Sequence, residues 1–137
     1  MGLILDSSIL IAGERRGETV KQIIQRVRAV CGDQESALCA ISIIEFTHGI
    51  YRAKTDADRV RRRAFADELV RDMIVHPVSL AIAQLAGRIE GEQAAKGVSI
   101  AIEDLVIGAT ALHLGFDVAT LNVKHFQAIP GLKVVTL

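Results

Sequence analysis

Short apolar segments alternate with amphipathic ones along this chain, and the alternation limits the folds that it can adopt. The first apolar run, residues 3–5, is too short for a core helix and is typical of a buried parallel strand. Residues 19–30 instead carry apolar side chains at helical spacing, with polar side chains opposite. Because parallel strands need crossover connections, this pattern predicts an α/β fold with a mainly parallel sheet of about five short strands. The predicted strands are 3–5, 37–41, 73–75, 117–121 and 132–136; the predicted helices are 9–12, 19–30, 42–54, a segment from Thr55, 79–96 and 100–114, with a helical turn at 122–126.

Composition restricts the function more than the fold. A chain of 137 residues predicts a single domain over 1–137, and half of its residues are hydrophobic. The formal net charge is zero, so any nucleic-acid binding has to come from local clusters. Two cysteines favour reduced thiols over a disulfide framework. The sequence shows no signal peptide and no apolar run long enough for a membrane span, which predicts a cytoplasmic protein.

Polar residues recur where the predicted strands end. Asp6 follows the first strand, Glu45 lies just after the second, and Asn122 follows the fourth. Ligands of open α/β sheets bind beyond the carboxyl ends of the strands, which predicts that these residues meet at one edge. Asp104 opens the helix at 100–114, where Gly108 and Ala111 are expected to permit close packing. Converging carboxylates repel one another, and a hard cation such as Mg²⁺ or Mn²⁺ relieves that repulsion.

Each residue also has a structural interpretation. Ser42 and Glu45 match a capping box, and Glu103 with Asp104 could merely complement a helix dipole. Asp6 and Asn122 could be N-caps. These interpretations explain the residues singly but not their shared position.

Other catalytic constellations have less support. Glu45 and His48 match half of a di-iron helix motif, and its second half is missing. The remaining histidines, including His125, are interpreted as structural or surface residues. Ser7 and Ser8 do not lie in a G-x-S-x-G nucleophile elbow, so a hydrolase triad has no support. A metal-dependent phosphatase on a similar α/β scaffold would carry D-x-D after the first strand, and Ser8 stands at the second acid position. No phosphate-binding glycine loop occurs.

Four segments together resemble the PIN domain, and more closely the toxin ribonucleases of VapBC-type toxin–antitoxin pairs. They are LILDSSILI at 3–11, SIIEFTHG at 42–49, DLVIGATAL at 104–112 and TLNVKHF at 120–126. The resemblance implies a three-layer α/β/α fold and an acidic cluster that binds Mg²⁺ or Mn²⁺. Asp6, Glu45 and Asp104 match the first three family acids. Asn122 stands at a fourth position, where many relatives carry an acid, and Ser8 and Thr120 match hydroxyl positions near the acids. Glu103 is a candidate supporting acid.

The resemblance also implies an activity and partners. The activity is endonucleolytic cleavage of RNA that leaves 5′-phosphate and 3′-hydroxyl ends. A cognate antitoxin inhibits this activity, and the toxin–antitoxin pair binds DNA only through the antitoxin. A homodimer is implied, with the helices around 23–30 and 43–51 as candidate surfaces. Arg15, Arg16 and Lys124 are candidate RNA-binding residues, whereas Arg59 and the arginines at 61–63 are interpreted as a solvated helix face. The alternative hypothesis is a vestigial PIN domain whose main task is to bind a protein.

Overall fold

The computed structural model describes all residues, 1–137. Five strands form one sheet in the order β3-β2-β1-β4-β5, and all four pairings are parallel. The predicted parallel α/β fold is therefore confirmed. The strands are β1 (Gly2–Leu5), β2 (Glu35–Cys39), β3 (Ile74–His76), β4 (Asp117–Thr120) and β5 (Val134–Thr136). The helices are α1 (Ser7–Arg15), α2 (Val20–Cys31), α3 (Ile41–Tyr51), α4 (Asp56–Asp72), α5 (Leu80–Ala94) and α6 (Ile102–Leu114), with a 3₁₀ turn at Val123–His125.

Helices cover both faces of the sheet, as the three-layer prediction requires. In β1, Leu3 and Leu5 pack into a core shared with α1 to α4, while Ile4 points into the core beneath α5 and α6. β2 and β4 alternate in the same way, because successive side chains of a strand point to opposite faces. Both faces of these strands are thus buried, which explains why they are continuous apolar runs in the sequence.

The chain reverses its progress across the sheet between β1 and β4. From β1 it moves outward through β2 to β3, and after α5 and α6 it returns to the other side of β1. Such a switch point leaves a crevice at the carboxyl ends of the two central strands. Asp6 directly follows one of these strands, and Thr120 is the last residue of the other.

Several predicted boundaries were wrong. The segment after β1 is a nine-residue helix, although residues 9–12 alone were predicted and Gly13 was taken as a stop. Gly13 lies inside the helix and allows close packing, since a Cβ there would lie 2.4 Å from Cδ1 of Ile23. β2 ends at Cys39, two residues early, and α3 ends at Tyr51 rather than near residue 54. β3 begins one residue late and β5 two residues late.

The residues that begin several helices make the side-chain hydrogen bonds expected of N-caps. Thr19 caps α2 in a reciprocal capping box with Gln22. The hydroxyls of Thr55 and Ser79 accept backbone N–H bonds at the starts of α4 and α5. Gly115, at φ 70°, ends α6 in the left-handed conformation that favours glycine. None of the helices is both long and apolar enough to cross a membrane, and both cysteines are free.

Candidate active site

Asp6 is fixed at the end of β1 by two hydroxyl groups. It is 95% buried, and its Oδ2 accepts hydrogen bonds from Ser8 Oγ and Thr120 Oγ1, both at 2.8 Å. Asp6 occupies the N-cap position of α1, but its side chain makes no capping hydrogen bond, so the N-cap interpretation is wrong. Both side-chain bonds fall on Oδ2, which leaves Oδ1 for another partner.

The same hydroxyl groups connect Asp6 to the end of β4. The fully buried Thr120 Oγ1 lies 3.4 Å from Ser8 Oγ and accepts a 2.9 Å bond from the backbone N–H of Asn122. Ser8 Oγ accepts a further bond from the N–H of Leu121. Asn122 precedes the 3₁₀ turn without capping it, and its side chain is exposed. The network therefore holds the backbone of Asn122 beside Asp6 and leaves its amide available.

Glu45 lies in the second turn of α3 and plays no part in a capping box. The helix begins at Ile41 with Ala40 as its N-cap, and no side chain caps it. Ser42 is inside the helix, where its Oγ is buried without a hydrogen-bond partner. The capping-box interpretation is therefore wrong, and the half-buried Glu45 carboxylate has no capping role at this helix start.

Glu103 and Asp104 lie in the first turn of α6, but the helix dipole does not dominate their ionisation. Burial raises the pKa of Asp104, and the negative charges of Asp6 and Glu45 raise it further. Desolvation likewise raises the pKa of Glu103, followed by the charges of Glu45, Asp104 and Asp6. A dipole acting alone would lower both values. We call these four acids the acidic edge: Asp6, Glu45, Glu103 and Asp104.

His125 is a neighbour of the acidic edge that sequence reasoning missed. Its Nδ1 lies 3.5 Å from Oδ2 of Asp104, and a positive charge there counteracts the raised pKa of Asp104. His125 was interpreted as structural or surface because its spacing matched no ligand motif. The available signal was its place in the same short turn as Asn122, whose position at the sheet edge had been predicted.

Gly108 permits close packing, as expected, and its packing partner is a side chain. A Cβ at Gly108 would lie 2.4 Å from Cδ1 of Ile129, which belongs to the segment after the 3₁₀ turn. Gly108 thus admits a side chain of the 125–129 segment, one helical turn beyond Asp104. Ala111 is fully buried on the same helix.

The predicted RNA-binding residues separate into two groups. Arg15 and Arg16 lie at the far end of α1, about 14 Å along the helix axis from Asp6. Arg16 is engaged there by Glu18, at 2.7 Å. Lys124 instead lies in the exposed 3₁₀ turn beside Asn122 and His125. Of the three, only Lys124 therefore lies in the turn that also carries His125 and follows Asn122.

The donor set determines which cation these residues suit. The acidic edge offers carboxylate oxygens, and Asn122 adds an amide oxygen, all of them ligands preferred by Mg²⁺ and Mn²⁺. In the present arrangement no three His, Cys, Asp or Glu side chains surround one point closely enough to hold an ion. The chemistry of the donors fits a hard divalent cation, and coordination requires the carboxylates to turn toward a common point.

Comparison with known proteins agrees with this fold. Residues 3–132 match the family model of the PIN domain, and the chain belongs to the PIN domain family. It is similar to "Ribonuclease VapC1" of Rickettsia felis, with 31% identity over 137 residues that cover 100% of this chain and 97% of that protein.

Two solved structures share the fold. The crystal structure of VapBC2 from Rickettsia felis bound to a DNA fragment from its promoter contains a chain with a TM-score of 0.84 and 19% identity, covering 100% of this chain and 99% of that one. VapBC-5 from Mycobacterium tuberculosis, a member of the VapBC family of toxin–antitoxin systems, gives a TM-score of 0.73 at 27% identity, with 99% of this chain and 96% of that chain covered.

Proposed function

We propose that this chain is a single PIN domain acting as a divalent-metal-dependent endoribonuclease, the toxin of a type II toxin–antitoxin pair. The observation that carries the proposal is that Asp6 and Glu45 lie close enough to Glu103 and Asp104 for their charges to raise the pKa of both. Like charges in partly buried positions destabilise a fold, and they occur together where a cation or substrate uses them. The similarity to a protein named as a ribonuclease supports RNA as the substrate.

The proposed mechanism assigns each side chain a task. Asp6, Glu45 and Asp104 would hold Mg²⁺ or Mn²⁺, and Glu103 would add negative charge beside them. Ser8 and Thr120 keep Asp6 in one orientation through their hydrogen bonds to Oδ2. The exposed amide of Asn122 orients water or the RNA phosphate, while Lys124 contacts the backbone of the RNA. A divalent cation at this edge would lower the pKa of a bound water and neutralise charge on the phosphate during in-line attack.

The decisive variant is Asp104→Asn, which keeps the shape of the side chain and removes its charge. We expect it to abolish Mg²⁺-dependent cleavage of RNA while the thermal unfolding temperature is unchanged or higher, because a repelling charge is lost. Cleavage would be measured by gel analysis of a labelled RNA, with end mapping for 5′-phosphate and 3′-hydroxyl products. Unchanged cleavage with the same Mg²⁺ dependence would refute the proposal.

Expression in cells separates an active toxin from a vestigial PIN domain. The proposal expects growth arrest when the chain is expressed alone, in the cytoplasm where its RNA substrates are. Asp6→Ala should relieve the arrest, and so should co-expression of an antitoxin encoded beside it. Arrest that persists in the Asp6→Ala variant would favour a role in protein binding alone. Binding to promoter DNA is expected only when the antitoxin is present, consistent with the DNA-bound VapBC2 complex.

The proposed homodimer uses α3 rather than α2. In α2 the apolar residues Ile23 and Val27 are fully buried in the core, and Val30 is the single large apolar side chain of this helix that is exposed. On α3, Ile44 and Tyr51 are 65% and 69% exposed. We expect Ile44→Asp to give monomers in light-scattering chromatography, whereas Val60→Asp, at an equally exposed position of α4, should leave the oligomeric state unchanged. The reverse result would exclude α3 as the dimer surface.

A further inference from the structure

His125 makes the one contact between an acid of the acidic edge and a side chain that can carry positive charge. Its Nδ1 approaches Oδ2 of Asp104 at 3.5 Å, while no ion pair involves Asp6, Glu45 or Glu103. The imidazole is 55% exposed, so the core does not need it for packing. Its position therefore calls for an explanation other than stability.

The backbone around His125 is firmly held although its side chain is exposed. The N–H of His125 donates to the carbonyl of Asn122 at 3.0 Å, and the N–H of Phe126 donates to the carbonyl of Val123 at 3.0 Å. The Phe126 ring is completely buried in the core beneath α5 and α6. The turn thus fixes the point from which the imidazole extends toward Asp104.

A second contact sets the register of this segment against α6. Asp104 and Gly108 are four residues apart and lie on one face of the helix. His125 and Ile129 are also four residues apart, and they meet Asp104 and Gly108 respectively. The missing Cβ of Gly108 lets Ile129 approach, so the glycine and the buried isoleucine together place His125 over Asp104.

We propose that His125 is a positioning residue for Asp104. The 3.5 Å contact between Nδ1 and Oδ2 would shorten to a hydrogen bond, with Nδ1–H as the donor, when the carboxylate turns toward the divalent cation. This bond would hold Oδ2 and leave Oδ1 to bind the cation. Carboxylate ligands of metal ions are generally held by such outer hydrogen bonds, and loss of the partner typically weakens metal affinity about 10-fold to 100-fold. The inference rests on the metal site of the proposed function and adds a residue to it.

The test is Mn²⁺ binding to the full chain without RNA. Binding is monitored as the loss of the free Mn²⁺ signal in electron paramagnetic resonance. The measurement is made at about pH 8, where an ordinary imidazole is neutral. His125→Ala should weaken binding about 10-fold. His125→Asn should restore most of the affinity, because its Nδ2 can donate from nearly the same place as Nδ1. His113→Ala is the matched control, since His113 is exposed in the last turn of α6, about 14 Å along the axis from Asp104.

The outcomes distinguish this inference from the proposed function. Unchanged or tighter Mn²⁺ binding by His125→Ala would overturn the positioning role, and tighter binding would mean that the imidazole competes with the cation. Failure of His125→Asn to restore binding, or equal weakening by His113→Ala, would also overturn it. If the wild-type chain binds no Mn²⁺, the metal site itself fails and the inference fails with it.

Discussion

Two charged regions of this molecule differ in how their acids are partnered. We call the exposed ion pairs beside α2 and along α4 the paired surface: Glu18 with Arg26, Asp56 with Arg59 and Asp58 with Arg61. Each acid there has a basic partner, and water screens the pairs. At the acidic edge only Asp104 contacts a basic side chain, that of His125, and the pKa values of Glu103 and Asp104 are raised rather than lowered.

The difference shows where charge has been retained at a cost. An exposed ion pair contributes roughly 0 to 1 kcal/mol, so its loss matters little. Partly buried like charges oppose folding, and a sequence selected only for stability would neutralise or remove them. Acids in a crevice whose pKa values are raised by burial and by neighbouring acids are therefore better evidence of function than a long run of arginines.

The largest difference is expected in catalysis. Glu45→Gln removes one charge from the acidic edge and should lower kcat for RNA cleavage on the order of 100-fold, since metal-site charges supply several kcal/mol to the transition state. Asp58→Asn removes one charge from the paired surface and should leave kcat unchanged. Initial rates at saturating Mg²⁺ would be compared. Equal losses in the two variants would mean that the two regions do not differ as described.

A smaller difference is expected in stability. Thr120→Val keeps the buried shape but removes the hydroxyl that donates to Asp6 and accepts from the N–H of Asn122. The free energy of unfolding should fall by about 2 kcal/mol, the cost of leaving buried polar groups unpaired. Arg61→Ala, which breaks an exposed pair, should cost about 0.5 kcal/mol. Urea unfolding measures both, and a larger loss from Arg61→Ala would contradict the comparison.

RNA binding should depend on the position of a basic residue more than on the density of basic residues. In an Asp104→Asn background, Lys124→Ala should reduce the slope of log affinity against log salt by about 0.7, the value for one contact to a single-stranded phosphate. Arg63→Ala, on the exposed face of α4, should leave the slope unchanged. Filter binding at several salt concentrations gives the slopes. A reduced slope for Arg63→Ala alone would assign RNA binding to the exposed face of α4 instead.

The smallest expected effect is a pH dependence at Glu18. The hydrogen bond from Arg26 holds the pKa of Glu18 below its ordinary value of 4.5. An acid whose pKa is lowered by folding stabilises the fold above its ordinary pKa, and this contribution disappears as the pH falls through the lower, folded value. The small stability deficit of Glu18→Gln at neutral pH should therefore shrink in strongly acidic solution. Thermal unfolding of both proteins from neutral to strongly acidic pH would measure this deficit. A deficit that grows on acidification would contradict the prediction.

The sequence predicted the elements of this fold well because both faces of the sheet are buried. Continuous apolar runs identified β1 and β4, and caps such as Thr55 and Ser79 marked where helices begin. The predicted boundaries were wrong where tertiary packing overrode a local sequence signal. Gly13 seemed to end α1, yet it is inside the helix because Ile23 needs the space beside it.

The candidate site was predictable to the extent that strand ends determine it. Asp6 and Asn122 follow paired central strands, so their meeting follows from topology once β1 and β4 are known to be neighbours. The sequence places His125 in the same short turn as Asn122, but its contact with Asp104 was not predictable, since that contact depends on the fit of Ile129 against Gly108. The sequence also could not decide whether Ser42 and Glu45 form a capping box. An S-x-x-E pattern does not show whether its serine lies before or inside a helix, and only the structure places Ser42 inside.

The bond between Thr120 and Asp6 joins residues 114 positions apart in the chain. Contacts of such long sequence separation form late and slowly, because the intervening chain must first be ordered. During synthesis, Asp6 leaves the ribosome early but has no Thr120 partner until 114 further residues have followed. For a chain proposed to cleave RNA, this delay means that the candidate site is completed only after both central strands have been made. A nascent chain that stops short of Thr120 therefore lacks one of the two hydroxyl groups that orient Asp6.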